Sequence, residues 1–317
     1  MADLKLEHQH GKARVRVARL WRGKRPGEAD YLAEWNVSIS LISRVLAAFT
    51  DGDNSNIVAT DTMKNTVYAI AKECTDPLSL EDFGVRLGRH FLTTYPEIVT
   101  GAKVMLFEKP WERATVDGQP HNHGFKLGSE KHTVEVVVNS EGDAKVTSGV
   151  SELSLLKTTQ SGFEGFLRDK YTLLPETRER MLASAIRAVW RCICYGGLCS
   201  YSSKPADYQK TYREVKDILV STFFGPPREG IYSPSVQKTL YEMAQAVLSR
   251  FPEIESVYLN MPNIHFLPVN MPTPERLTCV FICFLVQFGD DVFIPTDEPH
   301  GSIEARLSRK PILISNL

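Results

Sequence analysis

An excess of charge of either sign is missing from this chain of 317 residues, in which 37 Lys and Arg face 38 Asp and Glu. That balance gives no ground for expecting nucleic acid or an acidic membrane surface as the main partner, although a local basic pocket remains open. Long hydrophobic runs are missing too. The longest, Leu277 to Phe288 (LTCVFICFLVQF), falls short of the about 20 apolar residues that cross a bilayer and suits a buried strand. Met1 to Lys12 is polar and charged, and no apolar stretch follows it, so no secretory leader is expected. Cysteine is sparse, with Cys74, Cys192, Cys194, Cys199, Cys279 and Cys283. Several of these lie inside apolar patterns, which fits buried thiols in a reducing compartment better than disulfides. Cys192-x-Cys194-x4-Cys199 is not a standard zinc spacing and has no paired His nearby.

What is present reads as an ordinary folded protein. Hydrophobic residues make up 43% and charged residues 24%, and the length leads us to expect two domains. The stretch that organises the chain is Ile57 to Glu73 (IVATDTMKNTVYAIAKE). Met63, Val67, Ile70 and Ala71 fall on one face of a helix. Thr60 and Asp61 therefore sit where the helix begins, either as caps or where free N–H groups favour an anion.

The rest of the chain falls into a repeated order. Ala13 to Trp21 and Tyr31 to Ile42 read as paired strands. Ser79 and Asp82 resemble a capping box before a second helix marked by Leu80, Phe83, Leu87 and Phe91. Strands at Ile98 to Phe107 and His132 to Asn139 follow, with the turn Asp117-Gly118 between them. The second half gives strands at Val146 to Leu156 and Ala183 to Cys194, then helices marked by Tyr212 to Phe223 and opened by Ser233-Pro234. Glu255 to Asn260 and Leu277 to Phe288 are the expected closing strands. Tyr95-Pro96-Glu97-Ile98 recurs as Phe251-Pro252-Glu253-Ile254 at the same helix-to-strand joint. The expected fold class is thus α+β: two tandem ββααββ halves, 1–143 and 144–317, each an antiparallel sheet with helices on one face. Pairing of exposed sheet edges between copies predicts a ring-like oligomer.

Six ordered blocks carry a family resemblance. They are Gly11-Lys12, the TDTMKNTVYAIAK core of the organising stretch, Asp117 to His123, Gly165 to Asp169 flanked by Phe163 and Tyr171, Ser235-Val236-Gln237, and Pro262-Asn263-Ile264-His265 with the terminal Ser315-Asn316-Leu317. Through them the chain resembles urate oxidase (uricase), a family of the tunnelling fold. The resemblance implies a barrel-like homotetramer and oxidation of urate by O2 and water to 5-hydroxyisourate, with release of H2O2 and no cofactor. It also implies peroxisomal residence. A terminal S-K-L is a peroxisomal address, and Ser315-Asn316-Leu317 departs from it only at Asn316, so a peroxisomal import receptor is an expected partner.

The same resemblance distributes roles. Lys12, Thr60 and His265 form the implied proton relay. Phe163 stacks on urate, Arg180 holds its pyrimidine edge with a planar fork of donors, and Gln237 with the Val236 N–H reads the purine edge. Asp61 contacts the five-membered ring, and Thr60 and Asn263 frame the O2 or water position. Lys12, Thr60 and Asp61 are implied to come from one subunit and the others from its neighbour. Read without the family, Arg180 in ETRERM is a solvated charge and Gln237 an exposed helix residue. His121 and His123 would point two imidazoles one way on a strand, but no further ligand lies near in sequence and no metal is expected. The alternatives are a tunnelling-fold hydrolase or aldolase acting on a pterin, and a non-catalytic purine-binding protein. Pterin sites usually anchor the base with Glu, where Gln237 stands here.

Overall fold

A computed structural model describes residues 5–192, 207–269 and 291–310. Strand β1 (His10–Trp21) pairs antiparallel with β2 (Tyr31–Ser43). In β2 the residues Ala33, Trp35, Val37, Ile39 and Leu41 are buried, while Glu34, Asn36, Ser38 and Ser40 between them are partly exposed. This period of two is the signature of a sheet covered more heavily on one face. A short helix, α1 (Leu46–Thr50), precedes α2 (Thr60–Glu73) and α3 (Leu80–Thr94). The expected apolar face of α2, Met63, Val67, Ile70 and Ala71, is buried. Ser79 caps α3 by accepting from the Asp82 N–H. Gly84 and Gly88 bring α3 close to the sheet. A Cβ at Gly84 would lie 2.8 Å from Leu106 Cδ1, and one at Gly88 would lie 2.7 Å from Val138 Cγ2.

After α3 come β3 (Val99–Glu108), a ribbon of β4 (Trp111–Val116) and β5 (Gln119–Leu127), and β6 (Lys131–Asn139). Asp117 and Gly118 join the ribbon with positive φ at both positions, as a type I′ hairpin requires. The sequence signalled that turn but not the separate ribbon built on it.

The second half runs β7 (Ala144–Lys157), β8 (Leu182–Cys192), α4 (Tyr208–Phe224), α5 (Val236–Arg250), β9 (Ile254–Pro268), β10 (Phe293–Thr296) and β11 (Ser302–Ser308). Ser235 caps α5 through a bond from the Lys238 N–H. Ser233, expected to be the cap, instead turns its hydroxyl toward Lys157 and Thr239. At α2 the cap position is Ala59, which leaves Thr60 and Asp61 as the first two helical residues. Among the described residues β9 is bordered by β8 over Ile254 to Ile264, by β11 over Ser256 to Pro262 and by β10 over His265 to Pro268, and Leu277 to Phe288 lies outside the described residues.

Apart from the β4–β5 ribbon, the strands form one continuous sheet in the order β1-β2-β3-β6-β7-β8-β9-β10, with β11 also on β9. Every pairing is antiparallel. Two cores lie against it. One gathers Trp35, Met63, Phe83, Leu87, Phe91 and Val136; the other gathers Trp190, Leu219, Phe223, Met243, Val247 and Val257. Each such side chain contributes about 1.5–3 kcal/mol on burial. The repeated order extends to detail. β1 has a bulge between Lys12 and Val15 with Arg14 at φ 59, and β7 has one between Val150 and Leu153 with Glu152 at φ 62. Both helix-to-strand joints close with the same turn, Ile98 N–H to Tyr95 O and Ile254 N–H to Phe251 O, each 3.1 Å.

Candidate active site

The chain carries the candidate residues in two groups. The first is built where α2 lies along β1. Arg19 Nε donates to Ala71 O at 2.9 Å, and Trp21 Nε1 to Cys74 O at 2.9 Å, which ties down the C-terminal end of the helix. At the other end His10 Nε2 meets Val58 O at 3.0 Å. Two residues on from these contacts stand Lys12 on β1 and Thr60 at the start of α2. The Asp61 carboxylate accepts from Lys64 at 2.6 Å and from Asn65 at 2.8 Å. The Lys64 hydrogen bond and charge hold it below the usual carboxylate range, and the Lys12 charge adds to the effect. Thr60 and Asp61 are exposed at a helix start, where N–H groups are free.

The second group is assembled by the long connection between β7 and β8. Phe163 and Thr177 exchange backbone hydrogen bonds of 2.7 and 3.1 Å. Arg180 N–H donates to Ser161 O at 2.8 Å. These bonds place the Arg180 guanidinium carbon 5.5 Å from the centre of the Phe163 ring. Phe166 stacks on the same ring at 4.8 Å and 9°. Phe163 is also linked to the approach to α5, because Gly162 N–H donates to Ser233 O and Ser233 N–H to Gln160 O. In the first turn of α5, Ser235 takes up the N–H groups of Lys238 and Thr239, which leaves those of Val236 and Gln237 for a ligand. Val236 is buried and Gln237 exposed. Asn263 and His265 stand two apart on β9 and share one side of it.

The electrostatics of this second group are unusual. Arg180 Nε is buried with no hydrogen-bond partner, and burial pushes the guanidinium below its ordinary pKa. Asn263 Oδ1, Ser184 Oγ and Ser161 Oγ are likewise buried and unpartnered. Ser184 faces Asn263 across the β8–β9 pair, and Ser161 supplies the carbonyl that holds Arg180. Each such atom costs about 1–3 kcal/mol while unsatisfied, more for a charge. A partly desolvated cation with a free Nε is suited to a polar anion. Sequence reasoning missed Ser161 and Ser184, since a serine within a strand or loop carries no pattern that separates it from a surface hydroxyl.

The two groups do not meet within one chain. Five strands separate β1 from β9, six steps of about 4.8 Å, or roughly 29 Å along the sheet. A cavity of about 460 Å³ opens elsewhere, between α4 and the β3–β4 region, lined by Tyr31, Glu108, Trp111, His132, Tyr212 and Arg213 among others. None of the candidate residues lines it. Two lysines there are already paired, Lys216 with Glu130 at 2.7 Å and Lys109 with Glu34 at 2.6 Å. His121 and His123 lie on the exposed ribbon with ring centres 4.8 Å apart. Among the described residues no three His, Cys, Asp or Glu side chains are grouped to hold a metal. Cys194, Cys199, Cys279, Cys283 and Ser315-Asn316-Leu317 lie outside the described residues.

Comparison with known proteins supplies a family. A sequence model of the uricase family matches residues 8–137 and 146–304. A uricase of Arabidopsis thaliana is 56% identical over 306 residues, covering 96% of each chain. A uricase-2 of Phaseolus vulgaris is 57% identical over 305 residues, again 96% of each. The crystal structure of a uricase from Arthrobacter globiformis superposes with a TM-score of 0.80 at 31% identity, covering 98% of this chain and 96% of that one.

Proposed function

Since this chain belongs to the uricase family and oxidises urate, we propose that it does so at a site shared by two copies of the chain, converting urate, O2 and water to 5-hydroxyisourate and H2O2. The observation that carries the site is Arg180. It is a partly buried cation whose Nε is buried and unpartnered, 5.5 Å from the centre of the Phe163 ring and held by the carbonyl of Ser161. Urate is flat and anionic. Phe163 stacks on its face, Arg180 clamps its pyrimidine edge, and Gln237 with the Val236 N–H reads the rest of that edge. Asp61 and Thr60, from the neighbouring copy, meet the five-membered ring.

Lys12, Thr60 and His265 carry the protons. O2 attacks a closed-shell purine poorly, and removal of a second proton from urate raises its electron density enough for electron transfer to O2. Thr60 passes that proton to Lys12, and His265 orients water and relays. Thr60 and Asn263 frame the position above the urate plane that O2 and then water occupy. The mechanism uses no cofactor.

The two-copy reading is supported by the roughly 29 Å between β1 and β9, and by exposed leucines on the loop beside Phe163. Leu167 and Leu173 on that loop are 99% and 91% exposed, an arrangement suited to cover by a second copy. We take the assembly to be a homotetramer and the halves to meet between Asp143 and Ala144. Ser315-Asn316-Leu317 is the proposed address for a peroxisomal import receptor. The test is to follow urate absorbance and H2O2 with protein treated with a chelator, alongside its mass by light scattering. Urate loss matched by H2O2 from a tetramer is expected. Urate loss without peroxide would overturn the reaction, and full activity from a monomer would overturn the shared site.

A further inference from the structure

Lys157 is the last residue of β7 and continues the buried side of that strand after Leu153 and Leu155. The side chain is 8% exposed. Its ammonium donates to Ile231 O at 2.8 Å and to Ser233 Oγ at 2.6 Å, and stands 3.5 Å from Phe223 O. Phe223 lies in the last turn of α4, where carbonyls are free and the helix end is negative. Lys157 also sits 5.5 Å from the centre of the Phe223 ring. Burial lowers the ammonium's pKa, and the Glu242 charge restores part of the loss. This is a costly group to bury, and an apolar side chain would serve the core as well.

What the ammonium grips gives it a reason to be there. Ser233 is the crossing point of the two segments that bear the urate contacts. Its N–H donates to Gln160 O and its carbonyl accepts from Gly162, on the segment that leads to Phe163. Two residues later Ser235 caps the helix that begins with Val236 and Gln237. Thr239 Oγ1, one turn into that helix, lies 2.7 Å from the hydroxyl that Lys157 holds. We propose that Lys157 is a positioning residue for urate binding: by fixing Ser233 it sets the spacing between the Phe163 ring and the N-terminus of α5, without touching urate. The proposal rests on the assignment of Phe163, Arg180, Val236 and Gln237 given above.

The test separates affinity from stability. Lys157→Met removes the ammonium and keeps most of the volume. Urate KM, kcat, urate affinity measured without O2, and the denaturation midpoint are compared with the unaltered protein. The expected result is a KM and dissociation constant raised about tenfold, as the loss of the charged hydrogen bond to Ser233 predicts, with kcat and the midpoint little changed. Lys157→Arg, which keeps the charge, is expected to recover part of the affinity. A KM within twofold of the unaltered protein overturns the proposal, as does a KM that rises only in step with lost stability. If Lys157→Met fails to fold, Ser233→Ala decides. A raised KM at unchanged stability supports the role, and an unchanged KM overturns it. Arg180→Gln and Phe163→Ala tell the two failures apart. If they raise KM while Lys157→Met does not, only the positioning role falls. If they too leave KM unchanged, the site assignment falls and the positioning role with it.

Discussion

Two chains, each disabled on a different half of the site, can be made to repair one another. Lys12→Met removes the proposed proton acceptor carried by β1. Arg180→Gln removes the proposed anion clamp that stands just ahead of β8. Along the sheet β1 and β8 are five strand steps apart, roughly 24 Å at about 4.8 Å per step, whereas a hydrogen bond reaches about 3 Å. One urate cannot touch both residues of one chain across that span. Each variant alone therefore has every site broken, and the loss of about 2 kcal/mol or more corresponds to roughly a 30-fold drop or greater. In a random one-to-one mixture, a site is intact when its Lys12 side comes from the Arg180→Gln chain and its Arg180 side from the Lys12→Met chain. Each condition holds for about half of the copies, so about a quarter of the sites recover. Refolding the variants together, with light scattering to verify assembly and urate absorbance as the readout, measures this fraction. A mixture no more active than its two components would refute the shared site.

Other expectations follow from single contacts. Thr60→Ala removes one hydroxyl at a helix start that tolerates Ala, so kcat should fall about a hundredfold with urate affinity nearly kept; a normal kcat would end the relay assignment. Gly88→Val places a Cβ where Val138 Cγ2 is 2.7 Å away, and α3 must lift from the sheet. A loss of about 2 kcal/mol or more in chemical denaturation is expected, and an unchanged midpoint would show that the helix is not held so close. Burial raises the pKa of Glu108, with the nearby Glu81 adding to it against the opposing His132 charge and Trp35 hydrogen bond. The folded state then binds this proton more tightly than the unfolded chain, so stability falls as pH rises through the ordinary carboxylate range and the raised folded value above it. Glu108→Gln should abolish that decline and be the more stable protein at pH 8, and equal pH slopes for the two would refute the shift.

Local pattern made much of the fold legible. Alternation in β2 and the helical spacing of Met63, Val67, Ile70 and Ala71 each reflect a single buried face, so sequence alone reports them. The Ser79 cap was equally visible, because its partner Asp82 lies three residues away. Ser233-Pro234 was a weaker guide. The hydroxyl that appeared free to cap is engaged by Lys157 from β7, and Ser235 takes the role. The same limit governs the site. Nothing near Arg180 in ETRERM tells a solvated charge from a desolvated one, since its burial comes from the Phe163 loop folding back on it. Lys157 occupies a position where alternation asks for an apolar residue, and its partners Ser233 Oγ and the carbonyls of Ile231 and Phe223, all remote in sequence, explain it.

The twin bulges also show where the two halves of the sheet differ. Lys12 and Val150 stand at matching places beside the left-handed residues Arg14 and Glu152. One is a partly exposed cation, the other a fully buried valine. The backbone device recurs in both places while the side chain beside it differs. Joining two first halves would supply the lysine twice and the arginine never, and joining two second halves would do the reverse. The modules share an architecture yet are no longer interchangeable, so an engineer who shortens, permutes or swaps them must carry one of each.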